Sequence, residues 1–436
     1  MMKSGGVMRR TSAFLAWVLT AALVTIGSAS AGPGASGGGD AWVGTWAASQ
    51  QLTEDANLPP PPGFADTTLR QIVHVSIGGS RLRVRFSNTF GRTALTLRAV
   101  RIARSAGGGA IHPASNRPLT FRGRSSVTIP EGALIVSDPV DFDLLPLSDL
   151  AVTIYVRGVP VDVTGHPGSR TTSYLQTGDA VTAPGLPAAG RVDHWYFLSG
   201  VDVLAHRSAG AIAILGDSIT DGRGSTTNGN DRWPDNLARR LQSGKAPAQV
   251  AVLNHGIGGN RLLRDGLGPN ALARLDRDVL AQPGVRWLIV LEGINDIGTG
   301  SGARAKGESA ATAEDIIGAY EQIVERAHAH GIRVYGATIM PFEGFAYANY
   351  FTPEAEADRQ RVNTWIRTSR TFDAVIDLDA ATRDPKRPSK LSAAVDGGDH
   401  LHPSVAGYRI MADAVGLALF ANQPEVPRLP AISREE

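Results

Sequence analysis

The chain contains no cysteine. That absence excludes disulfide bonds, a thiol nucleophile, thiolate metal sites and a lipid-modified cysteine. Stability must come from hydrophobic cores, and 436 residues at 42% hydrophobic content are enough for two domains. A dominant charge sign is also missing. The formal charge is +2, from 43 basic and 41 acidic residues. Even that small excess is local: residues 1–31 hold Lys3, Arg9 and Arg10 and no acid, which leaves 40 against 41 after them. A balance so close to neutral argues against nucleic acid or an anionic membrane as partner.

Long apolar runs are scarce too. Only one stands out, Ala13–Ile26, preceded by Lys3, Arg9 and Arg10 and followed by Ala29-Ser30-Ala31. A basic region, a short apolar stretch and a small-residue site read as a secretory signal over residues 1–31. The run is short for a bilayer span, so stable membrane insertion is not expected. Arg9-Arg10 fits a twin-arginine signal poorly. A flexible linker, residues 32–40, follows. Its Gly34-Ala35-Ser36-Gly37-Gly38 matches G-x-S-x-G formally, but no buried strand precedes it and no helix follows, so the match is rejected.

From about Trp42 to Gly200 the apolar residues alternate, as in Arg81–Phe86 and Leu150–Val156. Short strands broken by Gly, Pro and Asp predict an antiparallel β-sandwich-like domain over residues 41–203. Gly78-Gly79 is read as a hairpin turn between Val73–Ile77 and Arg81–Phe86. The alternating arginines are read as a solvated sheet face, with a glycan- or polymer-binding face as the alternative.

From Ala209 the rhythm becomes strand, helix, strand. Buried strands are predicted at Ala211–Leu215, Val250–Asn254, Trp287–Glu292, Ile332–Ile339 and Ala374–Leu378. Helical stripes lie between them: Trp233, Leu237 and Leu241; Leu272, Leu275 and Val279; and Ile316, Tyr320, Ile323 and Ala327 after a Thr312…Asp315 capping pair. A last helix is predicted near Val405–Phe420. The expected fold for residues 204–422 is a doubly wound α/β domain of three layers around five parallel strands. A tail, residues 423–436, ends the chain.

Reactive groups in such a sheet sit at the carboxyl ends of the strands. Gly216-Asp217-Ser218-Ile219 follows the first strand and offers Ser218 as a nucleophile; a helix cap is the plainer reading of such a serine. Asn254–Asn260 follows the second strand. There the Gly259 N–H can donate to an oxyanion, or the glycines can simply form a turn. Gly293-Ile294-Asn295-Asp296 follows the third, with the Asn295 amide as a donor or as an Asx turn. Asp399-His400-Leu401-His402 follows the fifth. Asp399 and His402, three apart at a helix entrance, suit an oriented base for Ser218. His400 is the rival base. Asp396, Asp399, His400 and His402 together are a rival metal site. His328 and His330, two apart on a helix, are read as surface residues.

Taken together, these segments resemble the SGNH (GDSL) hydrolase superfamily. Gly216-Asp217-Ser218, Gly259, Gly293-Ile294-Asn295-Asp296 and Asp399-x-x-His402 match its blocks in order, over about Ala209–Asn422. Ile219 stands where the family name has Leu, a conservative apolar difference. The resemblance implies a flavodoxin-like fold, a Ser218–His402–Asp399 triad, an oxyanion hole from Ser218, Gly259 and Asn295, and no cofactor or metal. The strand-rich first half resembles, more loosely, the accessory domain of some secreted bacterial members. The expectation is a secreted serine esterase acting on a small or polymeric ester. Its rivals are a non-catalytic glycan- or polymer-binding protein on the same scaffold and a metal-dependent hydrolase.

Overall fold

The computed structural model describes residues 39–61, 63–158, 160–244, 249–347 and 349–421. The expected signal segment, nearly all of the linker and the tail lie outside these residues. The described residues form one compact unit.

The first half is β-rich. One antiparallel sheet has the order Asp40–Ala47, Leu198–His206, Gly79–Ser87, Val140–Leu144. A second runs Gly190–Val192, Ser173–Thr177, Thr67–His74, Asp149–Val156, Leu95–Gly107, Ala110–Ile111. The alternation read from the sequence decides which side chains meet. Leu82, Val84 and Phe86 of the first sheet pack with Leu69, Val73, Val152 and Ile154 of the second in a single core.

Two expectations are corrected here. Gly78-Gly79 does not turn a hairpin, because Thr67–His74 and Gly79–Ser87 belong to different sheets. The connecting residues bond elsewhere: Val75 N donates to Ser148 O, and Ser76 N and Ile77 N donate to Thr45 O and Thr45 Oγ1. The chain therefore crosses between sheets at this point. Nor do the arginines of Arg81–Phe86 share a solvated face. Arg81 is exposed, but Arg85 is buried, and Arg83 and Arg85 both pair with the fully buried Asp202, at 3.0 and 3.2 Å. The second half of the chain covers this face, and Asp278 is near enough to favour the Arg85 charge.

The second half is built on five parallel strands, β1 (Gly210–Gly216), β2 (Val250–Gly256), β3 (Val285–Leu291), β4 (Arg333–Ala337) and β5 (Ala374–Ile376), in the order β2-β1-β3-β4-β5. Ala211–Leu215 is wholly buried, as a strand covered on both faces must be. The helix Ala313–Ala329 starts on the expected capping box, with Thr312 Oγ1 accepting from Asp315 N and Asp315 Oδ2 from Thr312 N. It buries Ile316, Tyr320, Ile323 and Ala327. The last helix is shorter than expected, ending at Ala414 before a separate turn at Leu417–Phe420. A helix at Pro353–Thr368 had no clear signature, since its buried side includes Arg359 and Asn363.

The two halves join without a gap. The strand Leu198–His206 runs past the expected boundary at 203/204. Val43, Val203 and Ala205 share a core with Ala211, Ala251 and Leu253. Gly44 N donates to Pro283 O, and Val252 N donates to Ser76 Oγ. No helix among the described residues is long and apolar enough to cross a membrane. The strand order reverses beside β1, and a crevice at such a switch point is where open α/β sheets bind ligands.

Candidate active site

Ser218 opens a one-turn helix, Ser218–Asp221, directly after β1. Asp217 caps it by accepting from Ile219 N at 2.8 Å, and Gly222 closes it with φ +102°. The hydroxyl lies 2.8 Å from His402 Nε2. His402 Nδ1 lies 2.7 Å from Asp399 Oδ2. A carboxylate only accepts, so Nδ1 carries the hydrogen and Nε2 is left to accept from the serine. Asp399 Oδ1 also accepts from Leu401 N and His402 N, which fixes the carboxylate. Partial burial alone would raise the Asp399 carboxyl, but the side-chain and backbone hydrogen bonds from His402 outweigh it and hold it well below the usual range. The Phe345 ring meets the His402 ring edge-on.

Gly259 lies in the turn after β2 with φ +68°, a left-handed backbone suited to glycine. Asn295 is in the first turn of the helix after β3. Its Nδ2 donates to Asn260 O at 2.8 Å, and its Oδ1 accepts from Tyr350 Oη at 2.8 Å. One of its two amide hydrogens is thus used for positioning and the other remains for a ligand. Ser218, Gly259, Asn295 and His402 line one cavity of about 740 Å³. The structure therefore brings together all five residues singled out from the sequence, Asp399 lying directly behind His402.

The rival groups do not converge. His400 Nδ1 and N both bond to Asp396, whose Oδ1 also takes Gly398 N. His400 is exposed, and no bond links it to Ser218. The two carboxylates are thus each engaged by their own histidine and loop N–H groups. Among the described residues, no group of three or more His, Asp or Glu is placed to hold a metal ion. His328 and His330 are on the surface, with His328 paired to Asp373.

Other residues at the site were given no role from the sequence. Arg274 is buried, and its guanidinium donates to Gly216 O, His255 O and Asn260 Oδ1 and reaches Glu292 at 3.3 Å. One side chain thereby ties together the ends of β1, β2 and β3. Beneath Ser218 lie three buried carboxyls. Burial pushes Asp217 up to about 7, with Asp296 adding to the effect against the Ile219 N–H. Burial likewise raises Asp296 to about 6 and Glu292 well above the usual range. The first half of the chain reaches the same cavity through Gln51, Pro167, Arg170 and His194.

An α/β sheet with a serine, a histidine and a carboxylate linked at its strand ends defines the hydrolase class. Residues 214–410 match the GDSL-like Lipase/Acylhydrolase family. The chain therefore carries a GDSL-like lipase/acylhydrolase domain, and it is a carboxylic ester hydrolase. Similar solved structures include a GDSL-like lipase from Bacteroides thetaiotaomicron, with 18% identity over 48% of this chain and 87% of that one and a TM-score of 0.35. Another is an acetyl xylan esterase from Geobacillus stearothermophilus, with 23% identity over 48% and 94% and a TM-score of 0.37. A third is an α/β hydrolase from the metagenome of Lake Arreo, Spain, with 18% identity over 49% and 97% and a TM-score of 0.37. Likenesses of this size fix neither acyl group nor alcohol. No curated protein matches the chain.

Proposed function

We propose that the protein is an exported serine esterase, with residues 1–31 as its signal segment and a three-layer hydrolase domain set against the β-rich first half. Ser218 is the nucleophile, His402 the base and Asp399 the group that orients it. The observation that supports this reading is the run of two hydrogen bonds, Ser218 Oγ to His402 Nε2 at 2.8 Å and His402 Nδ1 to Asp399 Oδ2 at 2.7 Å.

In the first step Ser218 Oγ bonds to the ester carbonyl carbon while its proton passes to His402 Nε2. Negative charge collects on the carbonyl oxygen, where the N–H groups of Ser218 and Gly259 and the Asn295 amide receive it. The C–O bond to the alcohol then breaks, and the alcohol leaves with the proton from His402. Water repeats the sequence on the acyl-serine, giving up a proton to His402 and releasing the acid and the free serine. A serine-directed phosphonate tests the assignment. Mass spectrometry should find the adduct on Ser218; stoichiometric labelling elsewhere, or full activity after labelling, rejects it.

A further inference from the structure

The arginines of this protein are mostly matched by acids where they are buried. Arg85 pairs with Asp202, Arg274 with Asp278, and Arg359 with Glu356 and Asp379. The cavity above Ser218 carries arginines of another kind, partly buried or exposed. Arg170, Arg223 and Arg261 line it from three separate segments: the loop before Ser173–Thr177, the turn after Ser218–Asp221, and the loop after Gly259. None of the three forms an ion pair with a carboxylate among the described residues. The Nε atoms of Arg170 and Arg261 are buried without a hydrogen-bond partner. Arg170 is also held at φ +51°, an uncommon backbone for a residue with a Cβ, with its carbonyl accepting from Asn228 N.

The acids on the same cavity are already engaged. Glu54 accepts from Gln51 Nε2 and Asn57 Nδ2, and Asp221 is bonded to His166. Asp296, behind Arg261, accepts from Leu262 N and Leu263 N. Past Arg261 and Thr299 the cavity meets a second hollow of about 410 Å³ that carries Arg264, Lys306 and Glu308. Positive groups thus outnumber negative ones along the whole cleft. Guanidinium groups bind planar oxyanions with two parallel hydrogen bonds, and a cleft of one sign concentrates ligands of the other.

We infer that this cleft selects esters whose remainder carries a carboxylate or phosphate, held by Arg170, Arg223 and Arg261 while Ser218 attacks. The inference rests on the serine-esterase reading and adds the substrate's charge to it. A neutral ester of equal size leaves the three guanidiniums as they are in the free enzyme and gains nothing from them.

The test uses the full chain and three acetyl esters of like shape: 3-acetoxybenzoate, 3-acetoxyphenyl phosphate and the neutral 3-acetoxybenzamide. At least one anionic ester should exceed the amide in kcat/KM by about 10- to 100-fold, the factor for one or two charge-assisted hydrogen bonds. Whether carboxylate or phosphate leads tells the two sources apart. The ratio should shrink as salt rises from about 0.02 to about 0.5 M, where charges beyond a few ångströms are screened. It should fall in Arg170→Gln, Arg223→Gln or Arg261→Gln, and not in Arg104→Gln, whose side chain pairs with Asp143 elsewhere. Equal kcat/KM for all three esters, or a ratio unmoved by salt and by all three substitutions, overturns the inference and leaves the esterase reading standing. If no ester is cleaved, the esterase reading falls. Calorimetric titration of Ser218→Ala with the benzoate and the benzamide then decides the inference, equal affinities rejecting it.

Discussion

His166 Nε2 lies 2.9 Å from Asp221 Oδ1, both side chains nearly free of water, and the contact joins the N-terminal sheets to the helix that Ser218 begins. His166 Nδ1 faces Ser49 O at 2.8 Å, so both ring nitrogens face acceptors. Gly168 lies against the same carboxylate; a Cβ there would come within 1.7 Å of Asp221 Oδ2. His166→Ala leaves the buried Asp221 Oδ1 and Ser49 O without this partner, a change that costs roughly 1–3 kcal/mol for a group left unpaired. The urea midpoint should fall accordingly, and kcat/KM should fall with it as the Ser218 turn loosens. Gly168→Ala should lower both as well. An unchanged midpoint in both variants would mean that this contact does not hold the halves together.

Ser218→Ala should abolish ester hydrolysis and leave the thermal midpoint nearly unchanged, since the side chain lost is one hydroxyl at a cavity wall. His402→Ala should be almost as severe, and His400→Ala much milder, because His400 bonds to Asp396 and not to Ser218. The Ser218→Ala/His402→Ala double variant should be no slower than either single, the two acting as a unit. EDTA should not inhibit. Steady-state kinetics on a soluble acetyl ester decides each of these.

Asn295→Ala should lower kcat by roughly 10²–10³ with little change in KM, the pattern for a donor whose bond forms mainly in the transition state. Tyr350→Phe keeps the amide but removes the hydrogen bond at 2.8 Å that orients it. The loss of about 1 kcal/mol of positioning predicts a fall in kcat of about fivefold. A KM effect in place of a kcat effect would assign Asn295 to ground-state binding.

Asp217 gives a pH signature in stability. Its folded-state value is raised to about 7, so the folded protein holds this proton more tightly than the unfolded chain does. That contribution is complete below about pH 4, the ordinary carboxyl range, and is lost as pH rises toward 7. Asp217→Asn has no proton to lose there. The stability of Asp217→Asn relative to the unaltered protein should therefore rise between about pH 4 and 7, then level off. Thermal melts across that range check it; a flat difference means that Asp217 does not titrate there.

The parts of the fold written in local pattern were legible. The five buried strands and the capping box at Thr312 depend on neighbours within a few residues, and so does the Asp399–His402 spacing. What failed depended on distant residues. Gly78-Gly79 looks like a hairpin turn until Thr45 and Ser148 take the backbone bonds of residues 75–77. Arg85 alternates like a surface residue, and it is Asp202 and Asp278, far along the chain, that offset its burial. At the site, Ser218, Gly259, Asn295, Asp399 and His402 stand at strand ends, where position alone suggests chemistry. Arg274, Tyr350 and His166 act through partners brought near by folding, and a single sequence gives no sign of such pairs.

The cleft above Ser218 draws one wall from each half of the chain, so the join between them is not a seam along which a gene can be cut. A copy of the second half alone would inherit the groups that move protons and lose Pro167, Arg170 and His194 from the opposite bank. It would also uncover Ala211, Ala251 and Leu253. Divergence toward new esters then has an easier route within the first half, at Arg170 and His194 on the cleft wall. Substitutions there reshape what the cleft admits while Ser218, His402 and Asp399 stay as they are.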